Sequence, residues 1–137
     1  FDEPTEKRLV DPRKVLRLEA LRPWMEEHQF YARDWGLLAA ALDRPWVTFG
    51  GTDLYPDVWH KTGALIDSIE SSHPLLDGNK RLGVLLGSLM LRTHGIDDTA
   101  ISDDQWFDLI TDVASKHPPA DDIADRLRSF FSPPAAS

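Results

Sequence analysis

One short polar stretch holds most of the residues in this chain that could do chemistry. It covers residues 72–81 and reads S-H-P-L-L-D-G-N-K-R. The ten residues that follow, L-G-V-L-L-G-S-L-M-L, are apolar on nearly every face, which predicts a buried helix. The polar residues therefore stand at the N-terminus of that helix, where unpaired backbone N–H groups and a partial positive charge favour an anion.

The residue types in this stretch suit a phosphate group. Gly78 permits close approach of the backbone, and Lys80 and Arg81 add positive charge. Neighbouring helical residues point about 100° apart, so these two cations are not expected to hold the same oxygen. Asp77 predicts a magnesium ion beside the phosphates, although its carboxylate could simply cap the helix. His73 is placed to take a proton from an incoming hydroxyl.

The nine residues 73–81, H-P-L-L-D-G-N-K-R, resemble the signature of the Fic/Doc family, whose general form is H-x-F-x-[D/E]-[G/A]-N-[G/K]-R. Lysine at position 80 is typical of the Doc branch, whereas Fic adenylyltransferases usually carry glycine there. The resemblance extends over roughly residues 33–131. Two features depart from the pattern: Leu75 stands where phenylalanine is usual, and the second arginine that adenylyltransferases use as a phosphate ligand is missing.

The resemblance implies transfer from a nucleotide to a hydroxyl of a protein. His73 would act as the base, and Asp77 would hold Mg²⁺ on ATP. The implied phosphate-binding residues are Gly78, Asn79, Lys80 and Arg81. Lysine at position 80 implies that the γ-phosphate is the group moved, so the implied enzyme is a Doc-type protein kinase, a toxin whose target is elongation factor Tu and whose effect is to halt translation. For Asn79 the residue type leaves an alternative, which is to fold the loop by bonding its own backbone.

Two further functions stay open. The first is a Fic-like adenylyltransferase that moves AMP to a protein hydroxyl, which the missing second arginine disfavours. The second is a catalytically inactive domain whose groove binds a partner protein, which Leu75 and the incomplete arginine set favour. The self-inhibitory pattern of the family, S/T-x-x-x-E-G/N, is absent from the sequence. We therefore expect control by a separate antitoxin that lays a helix beside the signature loop.

One β-like stretch, W-V-T-F-G-G at residues 46–51, ends at a pair of glycines. In the family that the chain resembles, the corresponding segment is a flap that pairs with a target peptide through its backbone. The alternative is a plain interhelical loop with aromatic anchors. The residues assigned to the flap are Trp46, Val47, Thr48 and Phe49.

Apolar residues recur at helical spacing over most of the chain. They predict an all-α domain at residues 11–131, a compact bundle of about six helices around the central buried helix, with the small flap. Asp11 and Asp34 are expected as N-caps, and Ser102 with Gln105 as a capping box. Pro23 is expected to bend or end the first helix. Residues 1–10 are expected to be flexible, and residues 132–137 to form a disordered tail.

Composition limits the remaining possibilities. The chain has 137 residues, 42% of them hydrophobic, which is enough for one globular domain with a buried core. Its net charge of −8 argues against direct binding of nucleic acid. It contains no cysteine, which excludes disulfides and thiolate zinc sites. No signal peptide or membrane span is visible, so we expect a cytoplasmic protein.

Overall fold

The computed structural model describes residues 11–131, and the predictions made for residues 1–10 and 132–137 lie outside that range. The helices are α1 Pro12–Val15, α2 Leu18–Glu27, α3 Trp35–Asp43, α4 Val58–Ser72, α5 Asn79–Thr93, α6 Asp103–Lys116 and α7 Ala120–Ser129. Short 3-10 turns cover Arg44–Trp46 and Asp98–Ala100, and strands β1 Thr48–Phe49 and β2 Thr52–Asp53 pair antiparallel. The all-α prediction is confirmed. None of the helices described is long and apolar enough to cross a bilayer.

Side-chain caps fix the start of four helices. The carboxylates of Asp11, Asp34 and Asp57 accept hydrogen bonds from backbone N–H groups in the first turns of α1, α3 and α4. At the start of α6 the Gln105 N–H donates to Ser102 Oγ at 3.1 Å, and the Ser102 N–H donates to Gln105 Oε1 at 2.9 Å. The capping residues predicted at the starts of α1, α3 and α6 are therefore confirmed.

Pro23 does not end the helix, because this proline lies inside α2, and the predicted bend stays a prediction. The helical run breaks earlier, at residues 16–17, where Arg17 takes an extended conformation. Proline removes one hydrogen bond to the preceding turn, but Leu21 and Met25 on the same helix are buried in the core. Their packing outweighs the local preference of the proline.

Two hydrophobic clusters lie on either side of the pair α4 and α5. The first joins α2 and α3 to Leu65 of α4 and Leu82 of α5. The second joins α6 and α7 to Ile66 of α4 and Leu91 of α5. The predicted single central helix is thus one of a central pair, since α4 carries eight buried residues and α5 six, and Leu85 of α5 is 38% exposed.

The flap is a hairpin whose base is held to α4. Its turn residues, Gly50 and Gly51, have φ angles of +58° and +82°, which suit glycine in a two-residue turn. From α4, the buried Lys61 ammonium donates to the carbonyl oxygen of Tyr55 and, at 3.3 Å, to Asp53 Oδ2. Arg44 donates to Tyr55 Oη at 2.9 Å. These contacts fix the base of the hairpin while leaving its tip exposed.

Candidate active site

The loop that joins α4 to α5, residues 73–78, has a backbone shape that its neighbours impose. His73 closes α4 in a left-handed conformation with φ +53° and ψ +63°, and its N–H donates to the Ile69 carbonyl at 3.1 Å. Positive φ is uncommon for a residue with a side chain, so the conformation needs support from its surroundings. It leaves the imidazole exposed, and that ring forms no hydrogen bond with another described residue.

Arg33 supplies much of that support. Its guanidinium donates to the carbonyl oxygen of His73 at 2.8 Å and to that of Ser72 at 2.7 Å. Its backbone N–H and that of Asp34 both donate to the Pro74 carbonyl, at 2.7 and 3.1 Å. Three consecutive carbonyl groups at the end of α4 are therefore held by one two-residue segment. This segment directly precedes α3, so the position of the candidate base depends on how α3 packs.

Leu75 and Asn79 fix the middle of the loop. Leu75 is 2% exposed, belongs to the first hydrophobic cluster and forms a β-bridge with Ala32. The Asn79 side chain bonds both backbone groups of Leu75: Asn79 Oδ1 accepts its N–H at 2.9 Å, and Asn79 Nδ2 donates to its carbonyl at 3.1 Å. Asn79 thus folds the loop through the backbone of Leu75 rather than through its own backbone, and a phosphate contact for its side chain stays a prediction.

The first turn of α5 is open to an anion. Gly78 is its N-cap, with φ +86°, and no side chain caps the helix. A Cβ atom at position 78 would lie 3.3 Å from the Phe30 ring, which adds a packing reason for glycine. Asp77 is exposed and, among residues 11–131, its carboxylate makes no capping bond to α5. The capping alternative for Asp77 is therefore not seen, and its oxygens face solvent beside the helix N-terminus.

Five of the six residues predicted from the signature line one pocket of about 270 Å³. They are His73, Asp77, Gly78, Asn79 and Lys80. Glu70 of α4, Leu76 of the loop and Ala114 of α6 complete the lining. The pocket therefore brings together an imidazole, a free carboxylate, an uncapped helix N-terminus and an ammonium group, which are groups that suit a phosphate-bearing ligand.

Arg81 lies outside this lining. Its guanidinium carbon lies 4.5 Å from the centre of the Phe30 ring, and its Nη2 is 3.4 Å from where a Cβ of Gly78 would stand. The Phe30 ring thus holds the Arg81 guanidinium beside Gly78, and Arg81, unlike Lys80, does not line the pocket. A role for Arg81 in gripping a more distant phosphate stays a prediction.

Asp77 is the residue in this pocket that fits a magnesium ion. Within residues 11–131, no group of three or more His, Asp or Glu side chains could hold a metal on its own. Magnesium usually keeps several waters and takes one or two carboxylates plus the phosphates of its substrate. A single free carboxylate beside a phosphate site meets that requirement.

Glu70 is a member of the pocket that sequence reasoning missed. Its side chain is 0% exposed, and neither carboxyl oxygen has a hydrogen-bond partner among the described residues. Burial raises the pKa of Glu70 to about 8, while the nearby Lys80 charge acts in the opposite direction. Nothing in the sequence marked it, because Glu70 stands one turn before His73 in an ordinary helical pattern. Sequence reasoning also assigned no role to Arg33, because the residue that it bonds, His73, lies forty positions away in the sequence.

The flap residues divide into an anchor and an exposed tip. Trp46 lies in the 3-10 turn before the flap. Its ring stacks on that of His94, with 6.3 Å between the ring centres, and the Lys61 ammonium lies over the Trp46 ring, 5.4 Å from its centre. Val47, Thr48 and Phe49 are exposed, Phe49 to 82%. Docking of a target therefore stays a prediction for these three, while the contacts of Trp46 are those of an anchor.

A groove of about 530 Å³ runs from the flap to the end of α4. Val47 lines one end of it, and Ser71 and Ser72, the residues just before His73, line the other. The groove thus lies between the residue that enters the hairpin and the last turn of α4. It is the right kind of surface for an extended segment that pairs with a strand edge.

Comparison with known proteins supports this reading of the loop. The sequence profile of the Fic/DOC family matches residues 10–91, which include the flap, α4 and the whole signature loop. A protein named Toxin Doc from Mycolicibacterium smegmatis is 40% identical over 99 residues, which cover 72% of this chain and 76% of the relative. No solved structure gives a significant match. The resemblance stated from the signature residues is thus confirmed, and the chain belongs to the Fic/DOC family.

Proposed function

We propose that the chain is a Doc-like toxin of a toxin–antitoxin pair, a kinase that transfers the γ-phosphate of ATP to a serine or threonine hydroxyl of a protein. Membership of the Fic/DOC family and the similarity to a protein named Toxin Doc support a nucleotide-dependent transferase in general. One observation carries the proposal. The imidazole of His73 stands at the rim of a pocket whose floor is an uncapped helix N-terminus flanked by Asp77 and Lys80.

In this proposal the phosphates bind at the start of α5. The backbone N–H groups of the first turn point at the anion, and Lys80 adds a point charge that stabilises the transferring group. Asp77 would hold the magnesium ion. When bound, that ion would supply positive charge to the phosphates of ATP.

His73 acts as general base toward the target hydroxyl. The hydroxyl oxygen forms a bond to the γ-phosphorus, its proton passes to the His73 imidazole, and the bond from that phosphorus to the bridging oxygen breaks to release ADP. His73 lines the pocket, and Arg33 holds its backbone in the left-handed conformation. That placement is what the reaction requires of a base.

The flap and its groove supply a docking place for the target. An extended segment could pair with the free edge of the hairpin at Thr48 and Phe49 and lie along the groove to His73. Elongation factor Tu is the target that we propose, with inhibition of translation in the cytoplasm as the outcome. The partner that restrains the toxin would be an antitoxin whose helix covers the signature loop.

The experiment is incubation of the purified chain with elongation factor Tu, Mg²⁺ and ATP labelled at the γ or the α position. We expect label on the target from γ-labelled ATP only. Label from α-labelled ATP would show AMP transfer instead and would contradict the kinase proposal. Absence of label from both, with tight binding of the target, would indicate the inactive binding domain.

The matched variants are His73→Ala and His117→Ala. His117 is an equally exposed histidine that closes a helix with φ +50°, donates its N–H to Val113 and precedes a proline, but it does not line the pocket. We expect loss of at least a hundredfold in rate for His73→Ala and an unchanged rate for His117→Ala. Equal rates for both variants would remove the general base from the proposal.

A further inference from the structure

A buried glutamate with no partner lies beneath the pocket. Glu70 of α4 is fully buried and lines the same pocket as His73, Gly78 and Lys80. Neither of its carboxyl oxygens has a hydrogen-bond partner among the described residues. A buried polar group without partners costs stability, so such a group calls for a reason beyond packing.

The facing helix makes room for this carboxyl. A Cβ atom at Gly83 of α5 would lie 2.4 Å from Glu70 Oε2 and 2.9 Å from Ile110 Cδ1. Any residue other than glycine at position 83 would therefore push the carboxyl group away. Because Gly83 lies one turn after Lys80, the carboxyl group packs against α5 just beyond its first turn, where the phosphate site is proposed.

The charged and titratable groups that share the pocket with Glu70 are few. His73 comes from the end of α4, Asp77 from the loop and Lys80 from α5. On the third side, α6 presents Ile110 and Ala114, which do not titrate. The Lys80 charge acts on Glu70. Among residues 11–131, no cation forms a salt bridge with the carboxyl group.

An uncharged carboxyl group is compatible with an anion above it, whereas a carboxylate is not. Charges interact strongly across a short distance in a buried environment, so ionised Glu70 would oppose a phosphate at the start of α5. Burial raises the pKa of Glu70 to about 8, which keeps the group mostly protonated at neutral pH. A bound anion favours the protonated form further.

We propose that Glu70 is a proton-linked residue of the phosphate site. The nucleotide-bound protein carries this carboxyl group in its uncharged form, so protein in which Glu70 is ionised must take up one proton at Glu70 when the nucleotide binds. The proposal rests on the proposed function, because it assumes that the pocket binds the phosphates of a nucleotide. Glu70 acts through the charge beneath the site and need not touch the ligand, so it is a positioning residue and not a catalytic one.

The test is isothermal titration of the full chain with ATP and Mg²⁺ between pH 6.5 and 9.5, for the wild type and for Glu70→Gln. Glutamine has nearly the same shape and cannot ionise. We expect the affinity of the wild type to fall about tenfold for each pH unit above pH 8. The affinity of Glu70→Gln should lack that decline. Parallel curves for the two proteins would overturn the proposal.

A second measurement needs only the wild type, in case Glu70→Gln fails to fold. Titration at pH 8 in two buffers of different ionisation enthalpy counts the protons exchanged on binding. Uptake of about half a proton is expected, because the group is then half ionised in the free protein. No exchange would overturn the proposal, and so would release of protons, which would indicate a carboxylate that holds a cation.

The two proposals fail in different ways. If the wild type binds no ATP at any pH, the phosphate site itself is wrong, and the role of Glu70 is overturned with it. If the wild type binds ATP at pH 7, but takes up no proton on binding at pH 8 and keeps its affinity above pH 8, the proposed function survives and only the inference about Glu70 is overturned.

Discussion

At the scale of single residues, two histidines show why a side chain type alone does not define a site. His73 and His117 both end a helix, both have a positive φ angle, and both precede a proline. The helices that follow them, α5 and α7, both lack a side-chain cap, but only His73 shares a pocket with an ammonium group, that of Lys80. The difference between the two lies in the residues that follow, which for His73 include Gly78 and Lys80.

Arg33 provides the first residue-scale prediction. Its side chain holds two carbonyl oxygens at the end of α4, so Arg33→Ala should lower the unfolding free energy by about 1–3 kcal/mol. Because His73 then loses its fixed position, the transfer rate should fall by at least tenfold. Denaturant titration and labelled-ATP transfer measure the two effects.

The control for this change is Arg17→Ala. Arg17 pairs with exposed Glu19 on the surface of the molecule, away from the loop, so we expect a change in unfolding free energy within about 0.5 kcal/mol. If Arg33→Ala transfers phosphate as fast as Arg17→Ala does, then the loop keeps its shape without the guanidinium.

The sequence predicted five residues that line the candidate pocket, but it did not point to Glu70 in that lining or to Arg33 beside the loop. The signature gave His73, Asp77 and Lys80 because their types and spacing sit next to the start of a buried helix. Arg33 and Glu70 were missed for a physical reason, since their importance arises from distant packing. Arg33 bonds the carbonyl groups of Ser72 and His73, and Glu70 faces Gly83 on the next helix. A pattern of neighbouring residues in the sequence does not reveal either contact.

At the scale of secondary structure, helix starts were easier to predict than helix continuity. Asp34 and the pair Ser102 and Gln105 cap their helices as predicted, because a cap is a contact within four residues. The expectation that Pro23 could end its helix was wrong because the burial of Leu21 and Met25, which depends on the whole core, decides whether the helix continues. Local rules work where the relevant contacts are local.

Close contact between α4 and α7 gives an element-scale prediction. A Cβ atom at Gly63 would lie 2.7 Å from the Ala120 carbonyl oxygen, which belongs to a backbone that cannot easily move. At Gly87 the nearest atom is 3.1 Å away and is Cδ1 of Ile66, the end of a flexible side chain. Alanine favours a helix over glycine by about 1 kcal/mol.

We therefore expect Gly63→Ala to destabilise the protein by about 1–3 kcal/mol and Gly87→Ala to remain within about 1 kcal/mol of the wild type. Urea unfolding monitored by circular dichroism measures both variants. Equal stabilities would show that α7 can shift away from α4 at little cost.

At the scale of the whole molecule, the pair α4 and α5 joins two hydrophobic clusters into one unit. Leu65 and Ile66, neighbours on α4, belong to different clusters, and Leu86 and Leu91 of α5 are divided in the same way. Loss of packing in either cluster would expose one face of α4 and α5, whose other residues form part of the second cluster. Cooperative unfolding of the whole domain is the expected result.

Hydrogen exchange tests this expectation. The slowest amides near Leu86 in the first cluster and near Leu109 in the second should report the same free energy of opening, because both require global unfolding. Two clearly different plateau values would mean that α6 and α7 open as a separate unit.

The contacts of Arg33 have a consequence for how intact members of this family can be recognised. All nine letters of the signature lie within residues 73–81, yet the three carbonyl groups at residues 72–74 are held by a segment forty positions upstream. A fragment that began after residue 34 would keep every letter of the motif and lose that hold on the loop. A truncated gene of this kind would therefore match the family signature in a motif search while encoding a chain whose signature loop has lost these contacts.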